Sequence, residues 1–211
     1  MKTLTWQKPG QQNVAQELIK IIINYVAELR EKKHWEIKNK TLHLQENKEE
    51  RIMKQIKLEI NIEACHYDEL TEKDRKLIDA ACEATKRSYA PYSHFAVGAA
   101  ALLENDIVIT GTNQENAAYP SGLCAERTTL FYANSQYPDQ AVKTLAIAAR
   151  TENGFLDTPI PPCGACRQVL LETEKRYGKP MRILLYSKTD IYILENVSGL
   201  LPLSFDGNYL K

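Results

Sequence analysis

Pro120-Ser121-Gly122-Leu123-Cys124-Ala125-Glu126-Arg127 and Pro161-Pro162-Cys163-Gly164-Ala165-Cys166-Arg167 are two versions of one arrangement. In each, a loop of chain-bending residues runs into a helix that carries cysteine at its start. The first helix is expected from about Cys124 to Ala133 and is followed by an apolar strand over Thr144 to Ala149. The second runs from about Cys163 to Tyr177 and leads into strands at Arg182 to Tyr186 and Ile191 to Leu194. Strands alternating with helices of this length predict an α/β fold, a mixed sheet flanked by helices, with both cysteine-bearing helices crossing over between strands.

Outward from this pair, Phe95 to Leu103 reads as a buried strand. Glu104-Asn105-Asp106 turns the chain, and Ile107 to Thr110 return as the second strand of a hairpin. Before it, Thr71 can cap a helix with Asp74 three residues on, Leu77, Ile78, Ala81 and Ala84 form its apolar stripe, and Pro91 bars its continuation. Ile56, Leu58, Ile60 and Ile62 alternate with polar neighbours, the pattern of a half-buried strand. Val14 to Leu29 reads as one amphipathic helix, and the charged stretch Arg30 to Arg51 as a solvated linker or exposed helix. Up to Ile52 the chain carries ten Lys and Arg against seven Glu, and beyond it seventeen basic against twenty acidic residues. The domain boundary is therefore expected there, with a helical extension over 1–52 and the main domain over 53–211. A partner-binding helix, a packed extension and an upstream stretch preceding a start at Met53 are all open for the first segment.

The whole chain has 211 residues, 44% hydrophobic and 26% charged, with 9 Gly and 9 Pro, an ordinary globular composition that excludes global disorder and low complexity. Basic and acidic residues balance at 27 each, so overall charge gives no grip on a polyanion such as a nucleic-acid polymer. No run approaches the roughly 18 apolar residues of a membrane helix, and the first residues lack the pattern of an export signal. A cytoplasmic protein without a membrane partner is expected. Five cysteines, an odd number, argue against a disulfide framework and for thiolate or metal chemistry.

Cys124, Cys163 and Cys166 lie at predicted helix starts, where unpaired N–H groups and the helix dipole favour the thiolate that binds zinc. Three thiolates leave one tetrahedral position open, which favours a catalytic over a structural zinc site. Glu126 follows Cys124 closely enough to face the metal without ligating it, as a proton carrier would. Three thiolates around a divalent ion sum to minus one, a charge that opposes acidification of a bound water. Arg127 and Arg167, with the two helix dipoles, are the groups available to offset it by hydrogen bonding to sulfur. Taken alone, Cys-x-x-Cys also fits a redox pair or half of a structural zinc site. Cys65 and Cys82 read as plain residues, and His34, His43, His66 and His94 share no ligand spacing.

Cys-x-Glu upstream of Pro-Cys-x-x-Cys is the arrangement of the zinc deaminases, with Cys here in place of the first His. Ser88 to Leu170 closely resembles cytidine deaminase of the small homotetrameric three-cysteine type. The resemblance runs through Ser88-Tyr89-Ala90-Pro91-Tyr92-Ser93-His94-Phe95-Ala96-Val97-Gly98-Ala99-Ala100, Asn113-Gln114-Glu115-Asn116-Ala117-Ala118-Tyr119, Cys124-Ala125-Glu126-Arg127 and Pro162-Cys163-Gly164-Ala165-Cys166-Arg167-Gln168-Val169. Looser similarity extends from about Met53 to Leu210, and residues 1–52 fall outside it.

This resemblance implies a three-layer cytidine-deaminase-like fold, one zinc per subunit, and hydrolytic deamination of cytidine and 2′-deoxycytidine at C4 in pyrimidine salvage. It also implies a homotetramer. Glu126 matches the family's proton shuttle, Asn113 and Glu115 the pair that binds the ribose hydroxyls, and Phe95 the residue that packs on the base. Ala125 matches the backbone contact to the pyrimidine edge, and Tyr119 and Phe205 match residues that reach a neighbouring subunit's site. Rival readings are a deaminase of another small aminopyrimidine nucleoside, a polynucleotide editor, and a structural zinc or redox protein without turnover. Asn113 and Glu115 favour a ribose. The missing interleaving of basic and aromatic residues disfavours the editor.

Overall fold

The computed structural model describes residues 11–46 and 54–210. The chain divides into two units, Met1–Lys57 and Leu58–Lys211. The expected boundary at Ile52 and Met53 lies outside the described residues.

Among its described residues the first unit contains one helix, α1 (Gln11–Glu46). The charged stretch after Leu29 thus continues the helix as far as Glu46. Its apolar residues, among them Leu18, Ile22, Tyr25 and Trp35, are exposed. The Lys20–Glu17 ion pair at 3.6 Å on its surface is of the solvent-screened kind that adds little.

The second unit is built on a seven-stranded sheet. Its elements in chain order are β1 (Glu63–Cys65), α2 (Glu72–Ala84), β2 (Ala96–Leu103), β3 (Val108–Thr112), α3 (Ala125–Gln136), β4 (Val142–Thr151), β5 (Gly154–Phe155), α4 (Gly164–Tyr177), β6 (Arg182–Tyr186) and β7 (Ile191–Leu194). Spatial order is β1-β7-β6-β4-β2-β3, with β5 on the end of β4. Only β4 and β6 pair in parallel, through Ala146↔Leu184 and its neighbours. The other pairs are antiparallel, so the sheet is mixed.

The strand alternation sorts side chains onto two faces. Ala100, Leu102, Ala146 and Leu184 meet Leu77, Ile78 and Ala81 of α2. Ala99, Leu103, Leu145 and Ile183 meet Leu130 of α3 and Leu170 of α4. Helices therefore cover both faces, and the cysteine-bearing pair shares one of them. Small residues in β2 and β3 let the helices approach closely. A Cβ at Gly98 would lie 2.2 Å from the Ala81 carbonyl oxygen of α2, and one at Gly111 would lie 2.4 Å from Thr129 Oγ1 of α3. The Thr71 cap forms as expected, its side chain accepting from Asp74 N at 3.1 Å.

One expectation fails. Residues 54–62 form no strand, and Ile56, Leu58, Ile60 and Ile62 are half or more exposed, or nearly so. Pairing starts only at Glu63: Glu63, Ala64 and Cys65 face Ile193, Tyr192 and Ile191, and β7 ends at Leu194, so it has room for at most one further residue of the segment. Alternation marks a face that could be buried, but a strand also needs a partner of matching length.

Candidate active site

Cys124 is the N-cap residue of α3 and Cys163 that of α4, both in extended backbone conformation, and neither side chain caps its own helix. Both sulfurs are thus left for other work. Cys166, one turn into α4, is fully buried. The two helix starts bring the three sulfurs together: Cys163 Sγ lies 3.4 Å from Cys166 Sγ and 3.9 Å from Cys124 Sγ, and all three are within 4.8 Å of one another. A tetrahedral zinc with bonds of about 2.3 Å holds its sulfurs roughly 3.8 Å apart, so this donor set fits the ion. Cys65 and Cys82 lie outside the cluster.

Charge is organised around the sulfurs. The Cys166 thiol donates to Cys124, and with help from the Arg127 guanidinium the Cys124 thiol is brought down to about 5. The same contact, followed by burial and the Glu126 charge, pushes Cys166 up. Cys124 therefore ionises before Cys166. Burial raises Glu126 above the usual carboxylate range, and the neighbouring Cys124 charge adds to the effect. Glu126 as a whole is only 5% exposed yet lines the cavity beside the sulfurs, the setting of a group that exchanges a proton. Arg127 Nη2 donates towards Cys124 Sγ at 3.6 Å and the Gly122 carbonyl oxygen at 3.5 Å, while its buried Nε has no partner among the described residues. Arg167 differs from its expected placement. Its Nε donates to Pro162 O at 2.8 Å and its Nη1 to Leu200 O at 2.9 Å, so it braces the loop that delivers Cys163 and leaves sulfur contact to Arg127.

These groups open onto a cavity of about 700 Å³ whose wall includes Phe95, Asn113, Glu115, Tyr119, Cys124 and Glu126. Asn113 is buried at the end of β3. Its Oδ1 accepts from Val97 N at 2.8 Å and from Ser88 Oγ, and its Nδ2 donates to Phe95 O at 2.8 Å, leaving one N–H. Glu115 Oε2 accepts from Tyr92 N at 2.9 Å and Ser93 N at 3.3 Å, and Oε1 accepts from Ser93 Oγ. These bonds, the Ser93 hydroxyl first, hold its carboxyl below the usual range. Tyr119 stands at the rim, edge-on to Tyr92 at 5.9 Å. Ala125 is buried in the first turn of α3. Phe205 lies outside this cavity, stacked on Tyr209 at 5.7 Å in the C-terminal segment. Sequence reasoning did not single out Ser88 and Ser93, the hydroxyls that fix Asn113 and Glu115, because each partner lies more than twenty positions away. The local signal was the spacing of Ser93 and Phe95, a hydroxyl two residues before a backbone N–H it can accept from.

Comparison with known proteins fits this geometry. The family described as the cytidine and deoxycytidylate deaminase zinc-binding region matches residues 71–177. A cytidine deaminase of Halalkalibacterium halodurans is 48% identical over 96 residues, covering 46% of this chain and 68% of that protein. One of Sporosarcina psychrophila is 46% identical over 97 residues, covering 46% of this chain and 67% of the relative. Among solved structures, the crystal structure of cytidine deaminase from Burkholderia pseudomallei superposes with a TM-score of 0.54 at 38% identity, covering 64% of this chain and all of that one.

Proposed function

Because this chain belongs to the cytidine and deoxycytidylate deaminase family, we propose that it is a zinc-dependent cytidine deaminase, converting cytidine and water to uridine and ammonia. The observation that carries the reading is the cluster of Cys124, Cys163 and Cys166 with buried Glu126 beside it at one cavity. Zinc held by the three sulfurs supplies the Lewis acidity that brings a water's pKa towards neutrality.

The remaining work falls to the chain. Glu126 takes the proton of the attacking water, passes it to ring N3, and helps protonate the departing amine. Arg127 offsets the excess negative charge of three thiolates, and Phe95 packs on the base while the Ala125 backbone meets its edge. Asn113 has one donor left and Glu115 has about one acceptor site left of its four, and together they satisfy one sugar hydroxyl. The hydroxyl so held is the 3′ one that cytidine and 2′-deoxycytidine share, so 2′-deoxycytidine joins cytidine as a substrate, and the product enters pyrimidine salvage. Among the described residues that line the cavity, Arg127 is the one cation, and it is committed to Cys124. Such a wall suits an uncharged nucleoside better than a phosphorylated one or a polymer.

Residues 53–211 form the catalytic domain and 1–52 an extension. Four copies assemble, with Tyr119 and Phe205 reaching a neighbour's site, which agrees with Phe205 being exposed and away from its own cavity. The protein works in the cytoplasm; among the described residues no helix is long and apolar enough to cross a membrane.

Purified protein incubated with cytidine should release ammonia with the ultraviolet change of uridine formation. Glu126→Ala should keep its zinc and lose turnover. Zinc without turnover in both proteins would leave the structural-site reading instead.

A further inference from the structure

The loop before β2 is tied to the end of β3 through one side chain. Ser93 Oγ accepts from Phe95 N at 3.1 Å and spends its only hydrogen on Glu115 Oε1. The neighbouring N–H groups of Tyr92 and Ser93 fill Oε2. Between Ser93 and Phe95 stands His94 with φ 53, a left-handed conformation that a non-glycine residue adopts only when its surroundings impose it. The Ala90 carbonyl oxygen accepts from His94 N at 3.1 Å, and the Tyr89 carbonyl oxygen from Glu115 N at 2.8 Å. Without the Ser93 hydroxyl, Oε1 loses its partner and the carboxylate is held through Oε2 alone, so its free acceptor site is no longer fixed from both oxygens.

We propose that Ser93 is a positioning residue: its hydroxyl links the Phe95 backbone to the Glu115 carboxylate and so fixes the one acceptor site that receives a sugar hydroxyl. The inference rests on the reading of Asn113 and Glu115 as the sugar-binding pair. Phe95 N is the fixed point that orients the Ser93 hydroxyl, and Ser93 acts on substrate only through Glu115. The same hydroxyl is the first cause of the lowered pKa of Glu115.

The test compares wild type, Ser93→Ala, Ser93→Gly and Ser93→Thr on cytidine, 2′-deoxycytidine and 3′-deoxycytidine, with zinc content and melting temperature measured for each. Ser93→Gly removes the same hydroxyl by a second route should Ser93→Ala prove unstable. Wild type identifies the gripped hydroxyl as the one whose loss lowers kcat/KM. On substrates that carry it, loss of the Ser93 hydroxyl should lower kcat/KM about tenfold, chiefly through KM, as for a hydrogen bond to a charged group. On the analogue that lacks it, the further loss should be under about twofold. The acid limb of kcat/KM against pH should move upward, and Ser93→Thr should restore both. Equal losses on all three nucleosides, or no loss, with wild type selective would overturn the proposal and leave the sugar reading standing. A wild type indifferent to both hydroxyls would overturn the two together.

Discussion

Arg127→Ala removes the guanidinium that, among the described residues, touches the sulfur cluster. Its Nη2 stands 3.6 Å from Cys124 Sγ; at an effective dielectric constant of about 20, unit charges at that separation attract by roughly 4–5 kcal/mol. Partial solvent access and reorganisation reduce this towards the ~1.5–3 kcal/mol of a hydrogen bond to a charged group. We expect kcat/KM for cytidine to fall about 10- to 150-fold. Stability should fall much less, because the buried Nε lacks a partner and its removal relieves a desolvated donor. Zinc should stay bound, held by sulfurs that the substitution does not touch. Arg167→Ala gives the opposite pattern. Its bonds go to Pro162 and Leu200, so it should lower melting temperature and zinc occupancy while leaving turnover per zinc nearly intact. The assay is steady-state deamination normalised to measured zinc. The charge-balance reasoning is refuted if Arg127→Ala retains full turnover per zinc, or loses activity only in proportion to metal.

Two further predictions concern the scaffold. Gly98→Ala places a methyl against two backbone atoms, Ala81 O at 2.2 Å and Thr85 N at 2.8 Å, so α2 must lift from β2; urea denaturation should show a loss of about 3 kcal/mol or more, and a change within ~0.5 kcal/mol would contradict the close-approach argument. Burial raises the Cys82 thiol from 9.0 to about 12. Its contribution is therefore complete below the unfolded-state value and is lost as pH climbs from 9 towards 12, when the unfolded chain ionises first. Stability in that window should fall by up to about 1.4 kcal/mol per pH unit through this thiol, and Cys82→Ala should flatten the slope.

Much of the fold was legible because its elements announce themselves locally. Strands at Arg182–Tyr186 and Ile191–Leu194 lie where short apolar runs after the second cysteine-bearing helix put them, and the Thr71 cap and the cysteine-led helix starts formed from signals a few residues long. The segment from Ile56 to Ile62 misled because its period was right but its partner strand is short, a fact held in the register of β7 and nowhere in the segment itself. The candidate site divided along the same line. Three sulfurs and Glu126 could be gathered from two helix starts, since crossovers of one hand lay such helices side by side on one face. That Arg127 meets sulfur while Arg167 meets carbonyl oxygens depends on side-chain direction, which spacing does not carry. Ser93 and Glu115 lie 22 positions apart, and only the sheet brings them together.

The central claim, that three sulfurs hold a zinc with one corner open to water, is tested most directly by zinc-edge X-ray absorption on the purified protein, quantified against protein concentration. The account predicts one zinc per chain with three sulfurs at about 2.3 Å and one lighter atom at about 2.0 Å. A shell of four sulfurs, or protein without zinc, would contradict it.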